Sequence, residues 1–124
     1  MKMLVSFFMV AFVSSAFAAD FTAPILDFDN TPASACPASD PGCGKVLTLS
    51  DVAIASLMGT FPDERDLSGE EKIKRFGLAM RIRNAKDISL TAEEIALLKK
   101  LIGRSYGPLV VGRAYPMIDP GEKK

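Results

Sequence analysis

The first apolar group is an almost unbroken run, Leu4 to Val13, interrupted by a single Ser. Lys2 precedes it, and Ser14, Ser15 and the small-residue site Ala16-Phe17-Ala18 follow. A positive start, a short apolar stretch and an A-x-A exit form the pattern of a secretory signal peptide. Residues 1–18 are therefore read as a leader cleaved before Ala19. The run is short for a membrane span, which needs about 20 apolar residues.

The next apolar positions follow no helical period. Phe21, Ile25, Leu26 and Phe28 surround Pro24, which forbids a helix through them, and Val46-Leu47-Thr48-Leu49 is a short β-like run. These two pieces predict a short N-terminal β-hairpin within residues 19–49, confined to an edge by Pro24. From Ser50 onward the spacing becomes helical. Ser50 can cap a helix starting at Asp51, with Val52, Ala53, Ile54, Leu57 and Met58 on its apolar side and Gly59 and Pro62 at its end. Ser68-Gly69-Glu70-Glu71 is a capping box opening a second helix to about Asn84, with Ile73, Phe76, Ala79, Met80 and Ile82 read as inward. Thr91-Ala92-Glu93-Glu94 is another box, with Leu90 and Ile95 placed as a hydrophobic staple. Ile95, Leu98, Leu101 and Ile102 continue that third helix. Gly107-Pro108 breaks the chain, Pro108 suits the first turn of a last helix, and Pro116 is expected to stop it. The prediction is a mainly α domain: a small bundle of three to four helices over residues 50–118 with a short N-terminal β-hairpin. Residues 119–124 form a polar tail.

Composition narrows the chemistry. The chain has 124 residues, 15 Lys+Arg, 15 Asp+Glu and no His. Without His there is no Ser-His-Asp triad, Cys-His pair or imidazole base within the chain, and two Cys cannot close a tetrahedral zinc site alone. A non-enzymatic role is expected, with no cofactor and no metal. Charge is split along the chain. Residues 19–70 carry two bases against nine acids, a net −7, whereas residues 71–124 carry twelve bases against six acids, a net +6. The simplest account is that the halves attract each other, with Asp63, Glu64 and Asp66 folding against later basic residues. The alternative leaves Lys72, Lys74, Arg75, Arg81, Arg83 and Lys86 as an open face for an anionic partner such as nucleic acid. Phe76 is the only aromatic there, so base stacking is not indicated, and a solvated helix face is the favoured reading.

Two motif matches lack their context. Asp27-Phe28-Asp29-Asn30-Thr31 follows an apolar stretch and resembles the first motif of haloacid-dehalogenase-type phosphatases. That resemblance would make Asp27 a nucleophile and Asp29 a general acid, both binding Mg²⁺. The doubly wound sheet and later acidic pair that this chemistry needs are missing, and a turn-forming Asp/Asn cluster is the preferred reading. Gly103-Arg104-Ser105-Tyr106-Gly107 matches G-x-S-x-G, but a helix precedes Ser105 and no His can take its proton.

The stretches LTLSDVAIASLMGTFPDERDLSGEEKIKRFGLAMRI and DISLTAEEIALLKKLIGRSYGPLVVGRAY resemble small phage- and prophage-encoded proteins of unknown function, over about residues 20–118. Such proteins usually start near the position of Asp20, so the leader and the Cys loop depart from the pattern. The resemblance implies a cytoplasmic factor binding nucleic acid or an assembly partner, whereas the leader implies a periplasmic or secreted interaction or accessory protein. Export is the leading reading; a cytoplasmic location follows if the true start lies after the leader.

Cys36 and Cys43 flank Pro-Ala-Ser-Asp-Pro-Gly, a turn-forming loop, and in an exported chain they form one disulfide. Closing so short a loop contributes about 2–3 kcal/mol when unstrained. The unreduced, denatured protein is expected to expose no thiol to an alkylating reagent; two reactive thiols per chain would refute the bridge.

Overall fold

The computed structural model describes residues 18–37, 39–40, 42–84 and 87–120. Most of the expected leader, Lys86 and the end of the tail lie outside these residues. Among the described residues the chain forms four α-helices and one two-stranded antiparallel sheet, the mainly α bundle the sequence predicts. In order these are β1 (Ala18–Asp20), α1 (Leu49–Met58), a 3₁₀ turn (Pro62–Glu64), α2 (Gly69–Asn84), β2 (Asp87–Ser89), α3 (Ala92–Ser105) and α4 (Pro108–Ile118). Helix α1 packs against α2 and α3, and α4 closes on α3 and β1. One core joins them, with Phe21, Ile25, Leu49, Val52, Leu98, Leu101 and Ile118 fully buried.

The two extended pieces meet as expected around the Cys loop, but only as isolated bridges, Pro24↔Thr48 and Ser34↔Val46. Ile25 N–H donates to the Leu47 carbonyl at 2.8 Å, and Ala35 N–H to that of Lys45 at 2.9 Å. Pro24 has no N–H to extend the ladder. The regular sheet instead pairs Ala18 with Ser89, Ala19 with Ile88 and Asp20 with Asp87. Each strand is three residues long, too short for a period-two signal, and the partner is remote in sequence.

Two helix ends differ from expectation. Helix α1 begins at Leu49 and is capped by Thr48, not Ser50. Thr48 Oγ1 accepts from Asp51 N–H at 3.2 Å, and Asp51 Oδ2 accepts from Thr48 N–H at 3.1 Å, a reciprocal box that Ser50 cannot make. It also places Leu49 in the core. Helix α4 does not stop at Pro116 but runs to Ile118. Pro116 removes one N–H near the helix end and sits on the exposed side, while buried Ala114 and Ile118 keep that turn on the core. Asp119 N–H closes it on the Tyr115 carbonyl at 2.9 Å.

Helix α3 starts as predicted, with both halves of the Thr91–Glu94 box formed and Leu98, Leu101 and Ile102 buried. On its outer side Gly103 has a packing role. A Cβ there would lie 2.6 Å from the Tyr115 hydroxyl, which donates to the Lys99 carbonyl. Gly103→Ala gains about 1 kcal/mol of helix propensity, but displacing that hydroxyl costs about 1–3 kcal/mol. Urea melts should therefore show Gly103→Ala as neutral to destabilising in the native chain. In a Tyr115→Phe background, where the next nearest atom is 3.8 Å away, the same change should stabilise. An unchanged sign in the two backgrounds would show that Tyr115 does not set the need for glycine.

Candidate protein-docking face

The acidic and basic halves meet where the 3₁₀ turn packs on α2 and α3. Pro62 starts the turn and projects Asp63 and Glu64 toward the helices. Arg75 Nη1 and Nη2 donate to the two oxygens of Glu64 at 2.9 and 2.6 Å, a bidentate pair. Arg104, near the end of α3, pairs with Asp63, lies 4.0 Å from Glu64 and stacks over the Phe61 ring at 4.3 Å. The Arg75 hydrogen bond is the main reason the Glu64 carboxyl lies below its ordinary value; the Arg104 bond does the same for Asp63. Of the three acids the charge split suggests for internal pairing, Asp63 and Glu64 make it, whereas Asp66 is exposed and takes part in neither pair.

Arg75 is 6% exposed, so it is not part of an open cationic face. Arg81 donates to Glu94 at 2.6 Å and to the Ser89 carbonyl at 3.1 Å, tying α2 to the start of α3. Lys72, Lys74 and Arg83 are exposed, while Lys86 lies outside the described residues. The six-residue basic face is thus broken: two of its cations are committed to carboxylates of the chain itself.

Burying Arg75 fixes the rotation of α2. Arg75, Leu78, Ala79 and Ile82 form the inner face. Ile73, Phe76 and Met80, all three expected inward, lie outside at 70%, 52% and 43% exposure. Their i, i+3, i+7 spacing makes them one outward stripe, roughly opposite the inner face. The sequence reading merged the two faces because each carries three apolar residues. The signal that separates them is Arg75, whose position three residues before Leu78 and seven before Ile82 puts it on their face, with Glu64 upstream as its counter-ion.

Beside the stripe, the end of α1 and the 3₁₀ turn leave a groove of about 430 Å³ against α2. Leu57, Met58, Phe61, Leu67 and Phe76 supply its apolar wall, and Arg65 and Lys72 stand among its lining residues. Sequence reasoning missed this site, since Met58 was assigned to the core and is 54% exposed.

The remaining candidates are structural. Asp27 Oδ1 accepts from the backbone N–H of Asp29 at 2.9 Å and of Thr31 at 3.2 Å, and Oδ2 accepts from the Thr31 hydroxyl at 2.9 Å. The hydroxyl contact leads in holding this carboxyl below its ordinary value. Asn30 takes φ +59° at the turn, and Arg113 on α4 donates to the Asp27 carbonyl at 2.9 Å and to Asn30 Oδ1 at 3.1 Å. Asp27 therefore organises a turn and anchors α4 to it. Among the described residues no group of three or more Cys, Asp or Glu is placed to hold a metal. Ser105 Oγ donates back to the Leu101 carbonyl at 2.8 Å within α3, which is not a nucleophile elbow. The Cys36 and Cys43 sulfurs lie at bonding distance, with Cα atoms 5.8 Å apart. Compared with known protein families, curated proteins and solved structures, the chain finds no match.

The ion pair makes a pH prediction. Glu64 is depressed below its ordinary 4.5, so its stabilisation is complete above that value and is lost as pH falls through the lowered one. Protonation leaves Arg75 as a buried charge without its counter-ion. Glu64→Gln should lower the stability near neutral pH by roughly 2–3 kcal/mol and flatten the acid limb of a urea-midpoint-against-pH curve. A variant with the native acid limb would show that other carboxylates control acid unfolding.

Proposed function

We propose that this chain is a small exported interaction protein, working by docking to another protein and carrying out no catalysis of its own. The observation that carries the reading is the outward stripe Ile73, Phe76 and Met80 beside the α1–α2 groove. Single exposed apolar residues are ordinary on a protein surface, but a run along one helix face that adjoins an apolar groove marks an interaction site. Removing these side chains from water would contribute about 25 cal/mol per Å² of buried apolar area, which α2 forgoes while the face is open.

Export is supported by the leader pattern and by the Cys36–Cys43 pair, which suits an oxidising compartment. No helix of the described residues is long and apolar enough to cross a membrane.

A photoreactive residue at position 76 tests the docking role in the native source, with the exposed position 29 as control. Adducts to a protein at 76, identified by mass, and none at 29 are expected. No adduct at 73, 76 or 80 would overturn the reading. Phe76→Asp should meanwhile leave the unfolding free energy from urea melts within about 0.5 kcal/mol of native, because an exposed site carries little core energy.

A further inference from the structure

The charges around the groove select its occupant. We infer that the face binds an acidic amphipathic helix of a partner protein, seating one bulky apolar side chain of that helix in the groove. The inference rests on the docking role proposed above and adds the chemistry of the partner.

Two features combine here. The first is shape. The groove is recessed between Met58, Phe61, Leu67 and Phe76, and its volume of about 430 Å³ admits a large side chain. The stripe along α2 continues the apolar surface for two helical turns, from Ile73 to Met80. A groove continuous with a helix-length stripe is the receptor for the i, i+3, i+7 anchors of an amphipathic helix. A bilayer surface, by contrast, would take up only the projecting stripe and leave the recess beside it unfilled.

The second feature is charge. Glu64, the acidic residue lining the groove, is taken up by Arg75 beneath it. Asp63 is likewise taken by Arg104. The cations Arg65 and Lys72 line the groove and are exposed, and Arg83 lies exposed further along the same side of α2 as Lys72. The internal pairing thus neutralises the one carboxylate among the lining residues and leaves Arg65 and Lys72 as cations beside an apolar centre. Carboxylates flanking the apolar anchors of a partner helix would meet Arg65 and Lys72 at one end and Arg83 at the other. Such rim charges choose among partners and speed encounter more than they add affinity. Nucleic acid suits the face poorly, since Arg104 covers the Phe61 ring and Phe76 is the one exposed aromatic among the lining residues.

Fluorescence anisotropy of designed helical peptides decides the matter, using the full chain. Two labelled peptides share one i, i+3, i+7 apolar face; one carries Glu at the flanking positions and the other Lys. The Glu peptide is expected to bind about tenfold more tightly or better at low salt, and the preference should shrink as salt rises. Lys72→Glu with Arg83→Glu should reverse the preference, and Phe76→Asp should abolish binding of both peptides while the far-ultraviolet circular dichroism stays native. Equal affinity for the two peptides would overturn the charge selection and leave the docking role standing. Binding to phosphatidylcholine vesicles containing phosphatidylglycerol, with neither peptide bound, would overturn the helix partner in favour of a membrane surface. Failure of both peptides and of the vesicles, together with no adduct at position 76, would sink the docking role itself.

Discussion

The orientation of α2 depends on the Arg75–Glu64 ion pair, and the character of the molecule's surface depends on that orientation. A guanidinium with both terminal nitrogens on one carboxylate has little rotational freedom. Placing it against the 3₁₀ turn directs Leu78, Ala79 and Ile82 into the core. Ile73, Phe76 and Met80 must then face outward. A buried pair of this kind adds little net stability, because desolvation of both ions offsets much of their attraction. Its larger effect is to exclude the rotated alternative, in which Arg75 would lose its partner and the helix would bury its other apolar face.

Neighbouring contacts reinforce that choice. Arg104 reaches the same turn from α3 and covers Phe61, so two helices are referenced to one three-residue element. At the opposite end, Glu94 serves twice. One of its oxygens accepts from Thr91 N–H in the capping box, and the other accepts from Arg81. The start of α3 and the last turns of α2 are thereby fixed to each other by one side chain.

Local chemistry explains which parts of this architecture were readable from sequence. Thr91 and Glu94 are three residues apart, so their box needs no knowledge of the rest of the chain, and α3 began where it was expected. The same logic applied to residues 48–51 would have found Thr48 and Asp51, but Ser50 offered a competing cap and the burial of Leu49 decided between them. Pro116 misled because a local rule against proline in helices gave way to the tertiary burial of Ile118. The outward stripe and its groove were the least legible. Their residues were visible, yet period alone could not say which of two apolar stripes on α2 faces inward, and the deciding ion pair spans eleven residues across a turn. The groove has contributions from α1, the 3₁₀ turn and α2, so no single segment displays it.

The small sheet bears on the order in which the chain can become a folded molecule. Strand β1 stands at the beginning of the described chain, and its partner β2 arrives only at Asp87–Ser89, after α1 and α2. Ala19, paired with Ile88, is buried in this arrangement, so this early residue leaves water only once the later strand is in place. Contacts so distant in sequence form late, after local helices. The pairing that covers Ala19 with Ile88 is thus among the last contacts to close, and it ties the two ends of the folding order together.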